Sequence, residues 1–177
     1  MEIIRALDIK IFYFINHAFN NAYLDYIVAF LTELGSGLFA YGVGLICLFL
    51  KDRKIKLLGI FILASAFISN EMVFFLKSTF KIWRPCWIFP DVNCFVYAGG
   101  YSFPSGHSCS VFMLAKISSL RIKEKVPLYF LAYLVAFSRV YLGVHFPSDV
   151  IVGGALGFLV GSLMVRLYNH LESSVGK

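Results

Sequence analysis

Long apolar runs, broken by short polar and basic blocks, dominate the chain. The clearest extends from Leu57 to Leu76, interrupted mainly by Asn70 and Glu71, and roughly twenty apolar residues are what a helix needs to cross a bilayer core. Leu38 to Leu50 is a shorter run that ends at Lys51-Asp52-Arg53-Lys54-Ile55-Lys56. Further on come Ser105 to Ala115, Pro127 to Val144 and Val150 to Val165. A second basic block (Lys116, Arg121, Lys123, Lys125) follows the first of these, and Arg166 follows the last. Residues 3–19, with Arg5, Asp8 and Lys10 as polar interruptions, predict an amphipathic helix. Asn20-Asn21 predicts a break, and Leu24 to Leu34 resumes the apolar pattern before Gly35-Ser36-Gly37. With 22–34 as a short first span and the glycine turn outside, the pattern predicts an all-α integral membrane protein. It would be one membrane-embedded domain over residues 1–177, a bundle of about six transmembrane helices plus the N-terminal amphipathic helix, with both ends cytoplasmic. Five spans and a surface helix is the alternative, because thirteen helical residues cover only about 20 Å.

Composition supports the membrane class. Of 177 residues, 59% are hydrophobic and 15% charged, with 19 Phe and 10 Tyr; a soluble domain of this size cannot bury that much apolar surface. The net charge of +6 does not point to nucleic acid, because the positive residues fall in blocks between apolar segments, as the positive-inside rule places them. No cleavable signal is expected, since Glu2, Arg5, Asp8 and Lys10 interrupt the first segment. Two basic blocks separated by two spans lie on one side, the cytoplasmic one, so connections 77–104 and 139–149 face outward. Lys77, Arg84 and Arg139 then violate the charge rule together, with Lys81 the remaining outward cation, read as an interfacial anchor. Gly153, Gly157 and Gly161, four apart, form a small-residue ridge suited to close helix packing within the bundle.

The chemistry concentrates in three outward segments. Lys77 and Arg84-Pro85 offer cationic donors for phosphate oxygens; seven residues apart, they share a helix face if the helix extends that far, with Pro85 ending it. Pro104-Ser105-Gly106-His107 precedes an apolar span, placing Ser105 and the Gly106 amide at a helix N-terminus, where free N–H groups bind anions. In Ser138-Arg139…His145…Asp149, the last two residues are one helical turn apart. A carboxylate on one ring nitrogen fixes the tautomer and leaves the other nitrogen as nucleophile. Glu71 is a candidate buried partner for Lys77, while His17 and His170 read as interfacial. Cys86 and Cys94 share the 77–104 connection, where an oxidising exterior would permit a disulfide; Cys47 and Cys109 read as packing residues.

Together these segments, covering about residues 77–149, resemble the three signature motifs of the type 2 phosphatidic acid phosphatase family. The resemblance implies a lipid phosphatase in which His145 attacks phosphorus, Asp149 orients it, and His107 protonates the departing lipid oxygen and later activates water. Lys77, Arg84, Ser105, Gly106 and Arg139 would hold the phosphate oxygens. The cations already match the phosphate charge and the cluster has one carboxylate, so neither a metal nor another cofactor is expected. The implied partners are a lipid phosphate and the surrounding membrane lipids. The implied setting is a bacterial inner membrane with the site facing the periplasm. Lipid A 1-phosphate is the favoured substrate. Undecaprenyl diphosphate, phosphatidylglycerophosphate, or transfer to a second lipid by the same residues, are the alternatives.

Overall fold

The computed structural model describes residues 2–18 and 21–175, all of whose regular elements are helical. In chain order these are α1 (Glu2–Ala18), α2 (Ala22–Thr32), a 3-10 turn (Glu33–Gly35), α3 (Gly37–Phe49), α4 (Arg53–Phe80), α5 (Pro85–Ile88), α6 (Gly106–Ser118), α7 (Lys125–Tyr141) and α8 (Pro147–Val175). Phe19 and Asn20, the expected end of the first helix and half of the expected break, lie outside the described residues, as do Met1, Gly176 and Lys177. Local chemistry starts the helices: Asn21, Ser36, Asp52 and Ser105 each cap one by accepting backbone N–H groups on the side chain, which satisfies donors that would be orphaned in an apolar medium.

Among the described residues, two stretches are long and apolar enough to cross a membrane: Arg53–Ile88, which is α4 with α5 after it, and Pro147–Ser173 of α8. The pair Ala22–Gly35 and Gly37–Phe49 qualifies jointly, bent by 54°. Large apolar side chains such as Phe30, Phe49, Phe67, Phe74, Phe75 and Phe130 are exposed around the bundle, as they are where lipid is the solvent. α8 is longer than the expected 150–165.

The glycine ridge packs α8 onto α6. A Cβ on Gly153 or Gly157 would overlap the backbone carbonyl oxygen of Ser105 or Cys109, and one on Gly161 would lie 2.8 Å from Lys116 Cβ. Only glycine permits helices this close. The interior core joins Ala40, Leu58, Ile62, Ala66, Met113, Leu114, Ile117 and Val160 from α3, α4, α6 and α8.

The expected outer turn at Gly35-Ser36-Gly37 is an interior bend. Asp25 accepts a hydrogen bond from the Tyr141 hydroxyl (2.7 Å), Thr32 from Arg139 (3.0 Å), and Gly35 presses on Val135 and His107. Ala40 then joins the core, and Gly44 lies against Ile62 and Leu63. From α2 to α3 the chain therefore descends continuously from the Tyr141 end of the bundle towards the basic end. Helix α1 crosses the Tyr141 end: Asp8 accepts from the Ser148 N–H and hydroxyl, Phe12 packs on Val140 and Phe146, and Asn16 donates to the Asn93 and Tyr141 carbonyls.

Candidate active site

Lys77 and Arg84 do not share a helix. α4 ends at Phe80, and Lys81 adopts the left-handed conformation (φ 49°), its N–H returning to the Lys77 carbonyl. Such a residue ends a helix by satisfying a terminal carbonyl. Pro85 opens α5 rather than closing α4. Both cations nonetheless converge on residues 99–102. Lys77 Nζ donates to the Tyr101 and Ser102 carbonyls (2.5 and 2.9 Å). Arg84 donates to Gly100, Gly99 and Val144 carbonyls at 2.9–3.0 Å, which locks the guanidinium plane. Glu71 is exposed on α4 and is not the partner of Lys77; carbonyl oxygens take that place.

Ser105 caps α6, its hydroxyl oxygen accepting from the Ser108 N–H (3.4 Å) and hydroxyl (3.1 Å). Its own hydroxyl proton is left to donate. The Ser105 N–H donates to the Asp149 carbonyl (3.0 Å), so the helix start of the second motif is bonded to the third, an approach that Gly153 permits. A Cβ on Gly106 would meet Val73 only at an ordinary 3.6 Å; packing alone does not demand glycine there.

His145 and Asp149 are buried, and the hydrogen bonds around His145 define its tautomer. Arg84 Nη1 lies 3.1 Å from Nε2. Arginine has no acceptor, so Nε2 carries the lone pair and Nδ1 the proton. Nδ1 in turn faces two oxygens at 3.3 Å, Asp149 Oδ2 and Ser102 Oγ. Burial first, and then the charges of Arg139, Arg84 and Lys77, hold the imidazole well below its ordinary range. It is a neutral base at neutral pH. Asp149 Oδ2 also accepts from the Phe146 N–H (2.8 Å) and from the Ser102 hydroxyl.

Arg139 donates from Nη1 to Thr32 Oγ1, and its Nε is a buried donor with no partner among the described residues. An anionic oxygen would satisfy it. His107 shares this space, with the cations of Arg139, Arg84 and Lys77 and the neutral His145 as its neighbours. The three segments thus come together around one point. Two members escape the sequence reading: Ser102, which looks like any loop serine, and Thr32, whose contact with Arg139 depends on the interior bend. No group of three His, Cys, Asp or Glu side chains is assembled to hold a metal among the described residues. Cys86 and Cys94 are free thiols brought within hydrogen-bond reach of one another, and Cys94 also directs its S–H to the Val96 carbonyl (3.5 Å). His17 meets the Asp91 carbonyl at 3.1 Å in the same connection.

Known proteins share this fold. LpxE of Aquifex aeolicus superposes with a TM-score of 0.79 at 32% identity, covering 90% of this chain and 95% of that one. The PAP2-type phosphatidylglycerolphosphate phosphatase of Bacillus subtilis superposes at 0.81 with 25% identity, covering 96% and 88%. A lipid A 4'-phosphatase of Porphyromonas gingivalis is 35% identical over 108 residues, which are 56% of this chain but only 45% of that protein. This chain thus spans under half of that relative's length. The family model described as PAP2 superfamily matches residues 53–172, a stretch that holds Lys77, Arg84, the Ser105–His107 segment, Arg139, His145 and Asp149. With fold, motif order and convergent side chains in agreement, the chain belongs to the PAP2 superfamily.

Proposed function

We propose that this protein hydrolyses a lipid phosphate without a metal, through a phosphohistidine on His145, at the outer face of a bacterial inner membrane. The observation that carries the reading is the polarised imidazole: Nδ1 is turned to Asp149 and Ser102, and Nε2, unprotonated, is turned to Arg84. An arriving phosphate competes with Nε2 for Arg84, which donates to three carbonyls and to Nε2 through four of its five N–H groups, and frees the Nε2 lone pair. Nε2 bonds to phosphorus as the P–O bond to the lipid breaks, and that electron pair leaves with the lipid oxygen, which takes its proton from the imidazolium form of His107. His107 then takes a proton from water, whose oxygen attacks phosphorus and releases phosphate and His145. Lys77, Arg84, Arg139, Ser105 and the Gly106 amide stabilise the equatorial oxygens, the largest protein contribution in this chemistry.

Lipid A 1-phosphate is the favoured substrate, with undecaprenyl diphosphate and phosphatidylglycerophosphate as alternatives; the likeness to a lipid A 4'-phosphatase supports lipid A as the lipid and does not single out its 1-position. The purified protein should release inorganic phosphate from one or more of these in detergent with EDTA present, and vanadate should inhibit it. Appearance of a new phospholipid in place of free phosphate would make it a phosphotransferase. Activity restored to a chelated enzyme only by a divalent ion would contradict the mechanism.

The continuous descent of α2 and α3 supports five crossings, with α1 on the outer surface and the C-terminus cytoplasmic, in place of six with both ends inside. In a cysteine-free background, cysteines at Tyr97 and Tyr23, both exposed, should react with an impermeant maleimide from outside, and one at Asp52 should not. Labelling at Tyr97 but not Tyr23 would restore the six-span arrangement, and labelling at Asp52 alone would place the site in the cytoplasm.

A further inference from the structure

Ser102 lies two residues ahead of the Pro104-Ser105-Gly106-His107 segment and is fully buried. It touches the turn after α4, Lys77, His145 and Asp149. Its N–H donates to the Ile82 carbonyl (2.7 Å), fixing it to the turn between Lys77 and Arg84. Its carbonyl accepts from Lys77 (2.9 Å). Its hydroxyl donates to Asp149 Oδ2 and places the oxygen 3.3 Å from His145 Nδ1. The hydroxyl proton is directed to the carboxylate, so the hydroxyl lone pairs face the Nδ1 proton. Nδ1–H is therefore shared between two acceptors that are themselves bonded to each other.

We propose that Ser102 is a positioning residue for the nucleophile: its hydroxyl closes a three-membered hydrogen-bond ring with Asp149 and His145 that sets both the orientation and the basicity of the imidazole. The inference rests on the reading of His145 as nucleophile. Without the hydroxyl, Nδ1–H has a single acceptor and the ring gains freedom to swing Nε2 away from the phosphorus. Asp149 Oδ2 also loses a donor. It becomes a stronger acceptor for Nδ1–H and favours the doubly protonated ring, which has no lone pair for attack. Partners that orient a metal-ligating histidine through its other ring nitrogen are typically worth about 10–100-fold in activity, and the same scale is expected for this nucleophile.

The test compares wild type, Ser102→Ala and Ser102→Thr on dioctanoyl phosphatidic acid in detergent micelles, across pH, with melting temperatures recorded. Ser102→Ala should lose about 10–100-fold in kcat with KM within about twofold. The acid limb of its kcat/KM profile, which reports groups of the free enzyme, should move to higher pH. Ser102→Thr keeps the hydroxyl and should return the acid limb to its wild-type position even if the added methyl lowers the melting temperature. A kcat for Ser102→Ala within threefold of wild type would overturn the proposal. So would a large loss with an unmoved acid limb, which is what a purely structural serine would give. A wild type that releases no phosphate from any lipid phosphate would instead bring down the functional reading itself.

Discussion

His145→Ala is expected to lower lipid phosphate hydrolysis by roughly 10⁴-fold or more, the scale on which nucleophile removal acts when the remaining groups work as a unit. That is about 5.5 kcal/mol of transition-state stabilisation. Alanine removes the atom that bonds phosphorus, and no neighbour can replace it: Arg84, Lys77 and Arg139 are cations, while Asp149 Oδ2 is occupied by the Phe146 N–H and the Ser102 hydroxyl. The phosphate cradle itself survives, because Arg84 and Lys77 are held mainly by carbonyls. KM should therefore change little while kcat collapses. Phosphate release assays at saturating substrate check this, and a loss of only a few fold would remove His145 from its role.

Gly157→Val should produce the largest effect on folding. The α6–α8 interface is the most extensive in the bundle, and a Cβ at position 157 would overlap the Cys109 carbonyl, carbon and oxygen together. These are backbone atoms of a helix and cannot rotate aside, so α8 must move away from α6. Overpacking of this kind costs typically 1–3 kcal/mol, and more when backbone must shift. The displacement also pulls Asp149 from the Ser105 N–H, so activity should fall with stability. Gly42→Ala is the control, since a Cβ there meets nothing within 4 Å; it should be neutral. Thermal unfolding in detergent separates the two, and a Gly157→Val protein melting with wild type would show that α6 and α8 are not held in this register.

Much of this architecture is legible in the chain. Apolar runs mark α4, α6, α7 and α8, and the ridge of Gly153, Gly157 and Gly161 marks a close helix contact, because lipid-embedded helices approach only over small residues. The three polar segments mark the site because clustered cations at one end of apolar helices oppose the charge rule. What was not legible depends on tertiary context. Gly35-Ser36-Gly37 has the composition of a surface turn, yet Gly35 sits against His107 because only a residue without a side chain fits there. Lys81 carries none of the glycine or asparagine signal for a left-handed cap, so the separation of Lys77 from Arg84 was invisible. Glu71 lies six residues before Lys77, which puts it on a different face of α4, and Lys77 finds carbonyls nearer. Ser102 becomes meaningful only when residues 102, 145 and 149 meet.

Turnover by this route requires a covalent bond between phosphorus and His145, and trapping that bond tests it. Enzyme mixed with a lipid phosphate, quenched within milliseconds and digested at alkaline pH to protect an acid-labile phosphoramidate, should yield a phosphorylated peptide by mass spectrometry. The phosphoryl group is expected on His145 in the wild type and nowhere in His145→Ala. Phosphate found on His107 or Asp149, or an active enzyme that never carries label while vanadate still inhibits it, would contradict it.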